Sequence, residues 1–266
     1  MRKYFIISLT IFALLSCSEY QKLLKSNDPE LKYEKAVVYF EKKDYMRATT
    51  LFDEVTRYYR GTERSELILN YLAQSYMGQK DYFTAGEYYK TYVRTYPKGK
   101  FIAEARYMIG YCFYLDSPDA RLDQTSTMDA IESFNEFLDL HPDNERVPKV
   151  NELLDELLNK LAYKELLSAR LYYNLGSYLG NNYLSAVVVS ENALEDFPAN
   201  NYREEFAFII LKSKYQQALQ SVEDKRVERY RETIDEYYNY ANEFPAGKNI
   251  KEANKILADS QKIVKD

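Results

Sequence analysis

The chain has 266 residues, and among them are two cysteines, Cys17 and Cys112, and one histidine, His141. Thiolate chemistry, imidazole catalysis and soft-metal binding would all have to be drawn from these three side chains. A structural zinc site takes four Cys or His ligands, and two cysteines make no disulfide framework. Cys112 sits in the apolar helical stretch 105–112 and reads as a core thiol. His141 directly precedes Pro142 where a helical pattern ends, the place of a turn residue rather than of a general base. Carboxylates are many but scattered. Glu152, Asp155 and Glu156 stand at i, i+3 and i+4, which puts them on one watered helix face. No glycine-rich phosphate loop occurs. The expectation is a protein without catalytic residues, metal or cofactor.

The elements that would have to position any other chemistry begin at the N-terminus. Arg2 and Lys3 precede a run from Tyr4 to Leu15 that only Ser8 and Thr10 interrupt. That is the length of a secretory h-region and too short to cross a bilayer core of roughly 30 Å as a helix. The run closes on Leu14-Leu15-Ser16-Cys17. Two aliphatics, a small residue and a cysteine resemble the lipobox of bacterial lipoproteins. The resemblance implies a signal peptide over 1–16, cleavage before Cys17, and a covalent lipid on Cys17. Each buried CH₂ of such acyl chains contributes about 0.8 kcal/mol to anchoring. Residues 17–28 then read as a lipidated, polar N-terminal tether.

Loss of residues 1–16 removes Arg2, Lys3 and no acid, so the formal charge moves from −5 to −7. A mildly acidic body has no electrostatic grip on nucleic acid. The core must lean on tyrosine, because the chain has 28 Tyr and 13 Phe but no Trp. Only 8 Gly and 7 Pro leave few breaks, which favours helices with short turns.

A repeat emerges from the prolines. Tyr96-Pro97, His141-Pro142, Phe197-Pro198 and Phe244-Pro245 each close a segment with aromatics at helical spacing. The clearest segment carries Leu69, Leu72, Ala73 and Tyr76, then Asp81-Tyr82, Ala85, Tyr89, Tyr92 and Pro97. This is the tetratricopeptide pattern, with a period near 34 residues. Small residues sit where helices A and B of a pair cross, and large residues fill the groove to the next pair. One pair cannot bury its apolar face alone, so pairs stack. The expected fold is all-α: a tetratricopeptide-repeat superhelix over 29–266. Its five helix pairs fall near 29–62, 65–98, 101–144, 150–199 and 203–246, with a capping helix at 251–264.

Two stretches narrow the family. One is Leu161-Ala162-Tyr163-Lys164-Glu165, followed by Ala169, Tyr172-Tyr173, Tyr183, Ala186 and Asp196-Phe197-Pro198. The other is the insert Asp116-Ser117-Pro118 to Leu122-Asp123-Gln124, followed by Ala130-Ile131, Phe134, Phe137-Leu138 and His141-Pro142. With the lipobox and the repeats, these resemble the BamD family, lipoprotein subunits of the outer-membrane β-barrel assembly machine. The resemblance implies a lipid-anchored scaffold on the periplasmic face of the outer membrane. Its partners would be the barrel subunit (BamA-like), other lipoproteins and unfolded outer-membrane proteins with their aromatic-ended C-terminal strand. Well-studied members carry an arginine in helix B of repeat four for the barrel-subunit contact. Here that helix reads Ser185-Ala186-Val187-Val188-Val189-Ser190-Glu191, so that contact does not carry over.

Binding needs a surface, and in this architecture helix A of each repeat lines the concave face. That assigns Tyr33 and Val37 to it from repeat one, Asn70, Gln74 and Met77 from repeat two, and Tyr107, Tyr111 and Tyr114 from repeat three. Amides can bond the main chain of an extended peptide, while phenol rings and a thioether hold apolar side chains without demanding one sequence. Two other functions share the fold: a periplasmic tetratricopeptide adaptor for cell division or envelope maintenance, and a glycan-binding uptake lipoprotein. The second relies on Trp platforms, which this chain lacks.

Overall fold

The computed structural model describes residues 19–264; the leader and Cys17 lie outside the described residues. The described chain is helical, with no strand among the described residues. The helices are α1 (Pro29–Glu41), α2 (Tyr45–Thr56), α3 (Glu63–Gln79), α4 (Tyr82–Thr95), α5 (Ile102–Asp116), α6 (Thr125–Leu140), α7 (Val147–Leu175), α8 (Asn182–Asp196), α9 (Arg203–Leu219), α10 (Glu223–Glu243) and α11 (Ile250–Val264). The described chain falls into two compact units, residues 19–118 with 125–150, and residues 119–124 with 151–264.

The first two pairs turn in the same way because the same residue types recur. Lys43 and Lys80 adopt left-handed backbone, at φ 60° and 64°. The next residue, Asp44 or Asp81, caps the B helix: its carboxylate accepts the Arg47 N–H at 3.4 Å or the Thr84 N–H at 3.2 Å. Asn181 does this for α8, accepting from Leu184 N–H at 3.2 Å. Helix α7 ends at Leu175, where Gly176 takes positive φ, and Leu179 in the turn beyond it does so too.

Three of the B helices also stop alike. Tyr96, Phe197 and Phe244 have φ/ψ of −125°/64°, −127°/65° and −126°/61°. The proline that follows each has no N–H and disfavours helical backbone at the residue before it. Three residues beyond the aromatic, an N–H returns to its carbonyl: Gly99 to Tyr96 at 2.9 Å, Asn200 to Phe197 at 3.1 Å, Gly247 to Phe244 at 3.0 Å. His141 takes the same place in repeat three, with Asn144 N–H donating to it at 3.1 Å.

A carboxylate then ties three helices together. The Tyr92 hydroxyl and the Lys100 N–H (2.7 Å) both donate to Glu66. In the second unit the Tyr240 hydroxyl and the Asn249 N–H donate to Glu204 at 3.0 and 3.2 Å. Burial and the neighbouring Glu204 push the Tyr240 phenol up to about 12.

The core follows the small-residue rule. Ala36, Ala48, Ala73, Ala85, Ala130, Ala169 and Ala186 have no exposed surface. In the first unit Ala36 and Ala48 pack with Leu51, Phe52, Val55, Ile68 and Leu72. In the second, Ala169 and Ala186 pack with Leu166, Phe206 and Ile209, and Ala253 and Ile256 of α11 close onto Phe208 and Leu211. Cys112 is buried, and burial pushes its thiol up to about 12.

The tether expected over 17–28 is corrected by the structure for its described part. Residues 19–24 are helical and fastened to the first pair. Leu23 joins the first core at 8% exposure, and the Tyr20 ring meets Tyr39 edge-on at 5.7 Å. Lys32, itself buried, donates from Nζ to the Leu24 carbonyl at 2.9 Å and pairs with Glu54. A polar run containing two large apolar residues thus finds a place on the core instead of hanging in water.

Two outcomes test this account. A Cβ on Gly110 would lie 2.5 Å from the ring of Phe134, which is fully buried. Gly110→Ala should therefore lower unfolding free energy by about 1–3 kcal/mol in urea titrations, by overpacking. The raised Tyr240 pKa makes a stabilising contribution that is complete below the unfolded phenol's pKa, about 10. It is lost as pH rises towards 12, because the unfolded chain gives up its proton first. Tyr240→Phe should make the fall in urea midpoint between pH 10 and 12 shallower than in the parent.

Candidate functional site

The first unit presents one built surface on α5. Tyr107, Tyr111 and Tyr114 follow at i, i+4 and i+7, which brings them onto one stripe of a helix. Their rings form a column: 5.7 Å and 14° between Tyr107 and Tyr111, 6.1 Å and 16° between Tyr111 and Tyr114. All three are half-buried. Tyr107 is the root of the column, packed edge-on against Phe137 at 5.9 Å, and burial raises its phenol pKa. The Arg146 guanidinium lies 4.6 Å over the Tyr107 ring and pairs with Glu104. A cation on one end of an aromatic stack both fixes the rings and polarises the exposed end.

The other expected residues separate. Gln74 and Met77 are half-buried on α3 and keep access to solvent. Asn70 does not: it is 5% exposed. Helices α2 and α4 both pack on α3, and Asn70 falls on the covered side, so its assignment to an open face is corrected. Tyr33 and Val37 are half-buried and pack against the first core with part of their surface. The Tyr33 ring lies 6.2 Å from Phe52 and 5.5 Å from Tyr59, with Arg64 over it at 5.0 Å. The Arg64–Glu30 pair and the Tyr59 hydroxyl on Glu30 complete that joint between α1 and α3. Cys17, the expected lipid-bearing residue, lies outside the described residues.

The insert within repeat three is ordered by its own side chains. Ser126 donates to Asp116 at 2.5 Å. In the second unit, the buried Gln124 amide donates to the carbonyls of Asp119 (2.9 Å) and Leu122 (3.2 Å), and Lys164 also reaches the Leu122 carbonyl at 3.0 Å.

Reading the sequence missed a second surface, at the α7–α8 turn of the second unit. Tyr178 and Leu179 are 69% and 90% exposed, and Leu184 and Val188, one turn apart on α8, are 51% and 45% exposed. The signal was present: two large apolar residues stand in a turn bracketed by Gly176 and Gly180. Large apolar side chains exposed this fully, four within eleven residues of chain, are a candidate contact surface.

Residues 25–217 match the profile of the YfiO family, described as outer membrane lipoprotein. The chain is 28% identical over 247 residues to a protein of Aquifex aeolicus (strain VF5) named as a candidate outer membrane protein assembly factor BamD, over 91% of this chain and 77% of that one. Among solved structures, the TPR2AB-domain:pHSP90 complex of yeast Sti1 matches at TM-score 0.39 and 13% identity, over 88% of this chain and 98% of that one. The apo form of RapI matches at TM-score 0.35 and 15% identity, over 100% and 99%. No helix among the described residues is long and apolar enough to cross a membrane.

The column makes a direct prediction. Each aromatic contact is worth about 0.5–1.5 kcal/mol. Tyr111→Ala combined with Tyr114→Ala should therefore weaken binding of an extended, aromatic-ended peptide about tenfold or more in fluorescence anisotropy, while the melting temperature moves little. An unchanged affinity would remove the column from the binding surface.

Proposed function

The chain belongs to the YfiO family of outer membrane lipoproteins, and on that ground we propose that it is a non-enzymatic scaffold, lipid-anchored through Cys17 on the periplasmic face of the outer membrane, that serves β-barrel assembly. It holds the barrel subunit of the assembly machine and receives unfolded outer-membrane proteins. The observation that carries the substrate part is the tyrosine column of α5. Unfolded barrel strands share no single sequence, but they alternate apolar and polar residues and end in an aromatic. Stacked rings with hydroxyl rims accept such a strand through ring contacts and adaptable hydrogen bonds, at small entropic cost because a tyrosine has few rotamers to lose.

The exposed apolar group at the α7–α8 turn supports the other half of the reading. A folded partner can cover Tyr178, Leu179, Leu184 and Val188 together, and truncating such buried anchors is what typically dissociates an interface. This surface would replace the arginine contact that helix α8 lacks.

Depletion of the protein in its own host should lower the amount of folded porin-like barrels in the outer membrane. In cells kept alive by a wild-type copy, a tagged Tyr178→Asp, Leu179→Asp variant should no longer co-purify a large β-barrel protein from detergent-solubilised membranes. Undiminished barrels on depletion would refute the assembly role. Undiminished co-purification would refute the α7–α8 contact alone.

A further inference from the structure

Within the first unit, one exposed position recurs in every B helix. Met46 of α2, Phe83 of α4 and Met128 of α6 each stand two residues before a fully buried alanine, Ala48, Ala85 and Ala130. Two residues are about 200° around an α-helix, so a residue two before the buried crossing point must face away from the core. A polar side chain would suit that place. The chain instead puts large apolar ones there, 71%, 53% and 55% exposed.

These positions share an edge, the one where helices A end and helices B begin. The Tyr45 ring sits against Phe40 at 5.8 Å and covers Gly78 near the end of α3. Phe83 meets Phe113 of α5 edge-on at 6.1 Å. Ser126, at the start of α6, bonds Asp116 at the end of α5. Lys42, Lys43 and Lys80 are exposed on this edge. Of its acids, Asp44 and Asp81 are engaged as helix caps and Asp116 accepts from Ser126, while Glu19 and Glu41 stay exposed.

The chain enters the fold at this same edge. Tyr20 packs on Tyr39, near the end of α1, and the Arg47 guanidinium lies 5.1 Å over its ring. Glu19 is the first described residue, and Cys17 is two residues ahead of it. Two residues of chain span at most about 7 Å. If Cys17 carries acyl chains, they must enter the bilayer that close to the edge.

We propose that this edge lies on the phospholipid surface, with Met46, Phe83 and Met128 seated among the headgroups beside the lipid anchor. The inference rests on the lipid-anchor reading above. The helix pairs of the first unit then stand off the membrane from one rim, with the edge lysines beside anionic headgroups.

The absence of tryptophan provides the test, because a single introduced indole is the only one in the chain. Lipidated protein carrying Met46→Trp, Phe83→Trp or Met128→Trp is reconstituted into phosphatidylethanolamine–phosphatidylglycerol vesicles, with and without brominated acyl chains. Tyr58→Trp, beyond the other end of α2 and 52% exposed, is the reference. Burial by about 5–10 Å into the headgroup boundary should shift the three edge emissions to the blue and quench them by about half or more with brominated lipid, leaving the reference unchanged. If the protein floats with the vesicles but all four variants emit alike, the edge does not rest on lipid, and the anchor reading stands without it. If the protein does not float at all, the anchor reading fails and the proposal falls with it.

Discussion

Two antiparallel helices can approach closely only where one of them presents almost nothing, and this protein meets that requirement with alanine or glycine at each crossing. Ala36, Ala48, Ala73 and Ala85 are fully buried and Gly110 lies directly against Phe134, so the backbones come together; the large residues on either side then find partners in the neighbouring pair. Dispersion between such side chains is individually small and collectively large. Because it falls away over a fraction of an ångström, the crossing residues govern more of the packing than their own surface suggests. The recurrent caps are set by the same constraint. An A–B turn short enough to keep the crossing in register leaves one residue in left-handed backbone, and a lysine bears that cost in two of the pairs.

Between pairs, the joints use polar chemistry in a largely apolar setting. Glu66 and Glu204 each collect a phenol and a main-chain N–H, so the start of one helix, the end of the next and the entry to the third share one carboxylate. Repeat three departs from this. Glu104 pairs with Arg146 instead, and that same arginine lies over Tyr107. The residue that closes the joint also fixes the root of the tyrosine column. The surface best suited to an extended partner therefore sits where the repeat departs from its neighbours.

The fold was readable because its signals recur in register. The alanines at the crossings and the aromatic–Pro closures repeat, and each occurrence supports the others. The tyrosine column was readable too, since i, i+4 and i+7 on a helix leave little freedom in where three rings go. The burial of Asn70 was not, because the side of α3 it occupies depends on how α2 and α4 wrap that helix. Tyr33 illustrates the same limit: its partners Phe52, Tyr59 and Arg64 come from three different places along the chain. Residues 19–28 read as a polar tether because Tyr20 and Leu23 are a minority in the run, and only the core they reach decides their fate. Tyr178 and Leu179 stand plainly in the sequence, but their exposure depends on where α7 stops, which the backbone at Gly176 decides.

Cys112 has a consequence of a different kind. Its sulfur is sealed in the seam between α4 and α5, beside Phe113 and under Gly86, where it is too weakly acidic to react while the seam is shut. Any alkylation of that thiol in the folded protein therefore clocks the opening of the seam itself. The molecule carries a built-in stopwatch for local unfolding, placed on the helix that bears the tyrosine column.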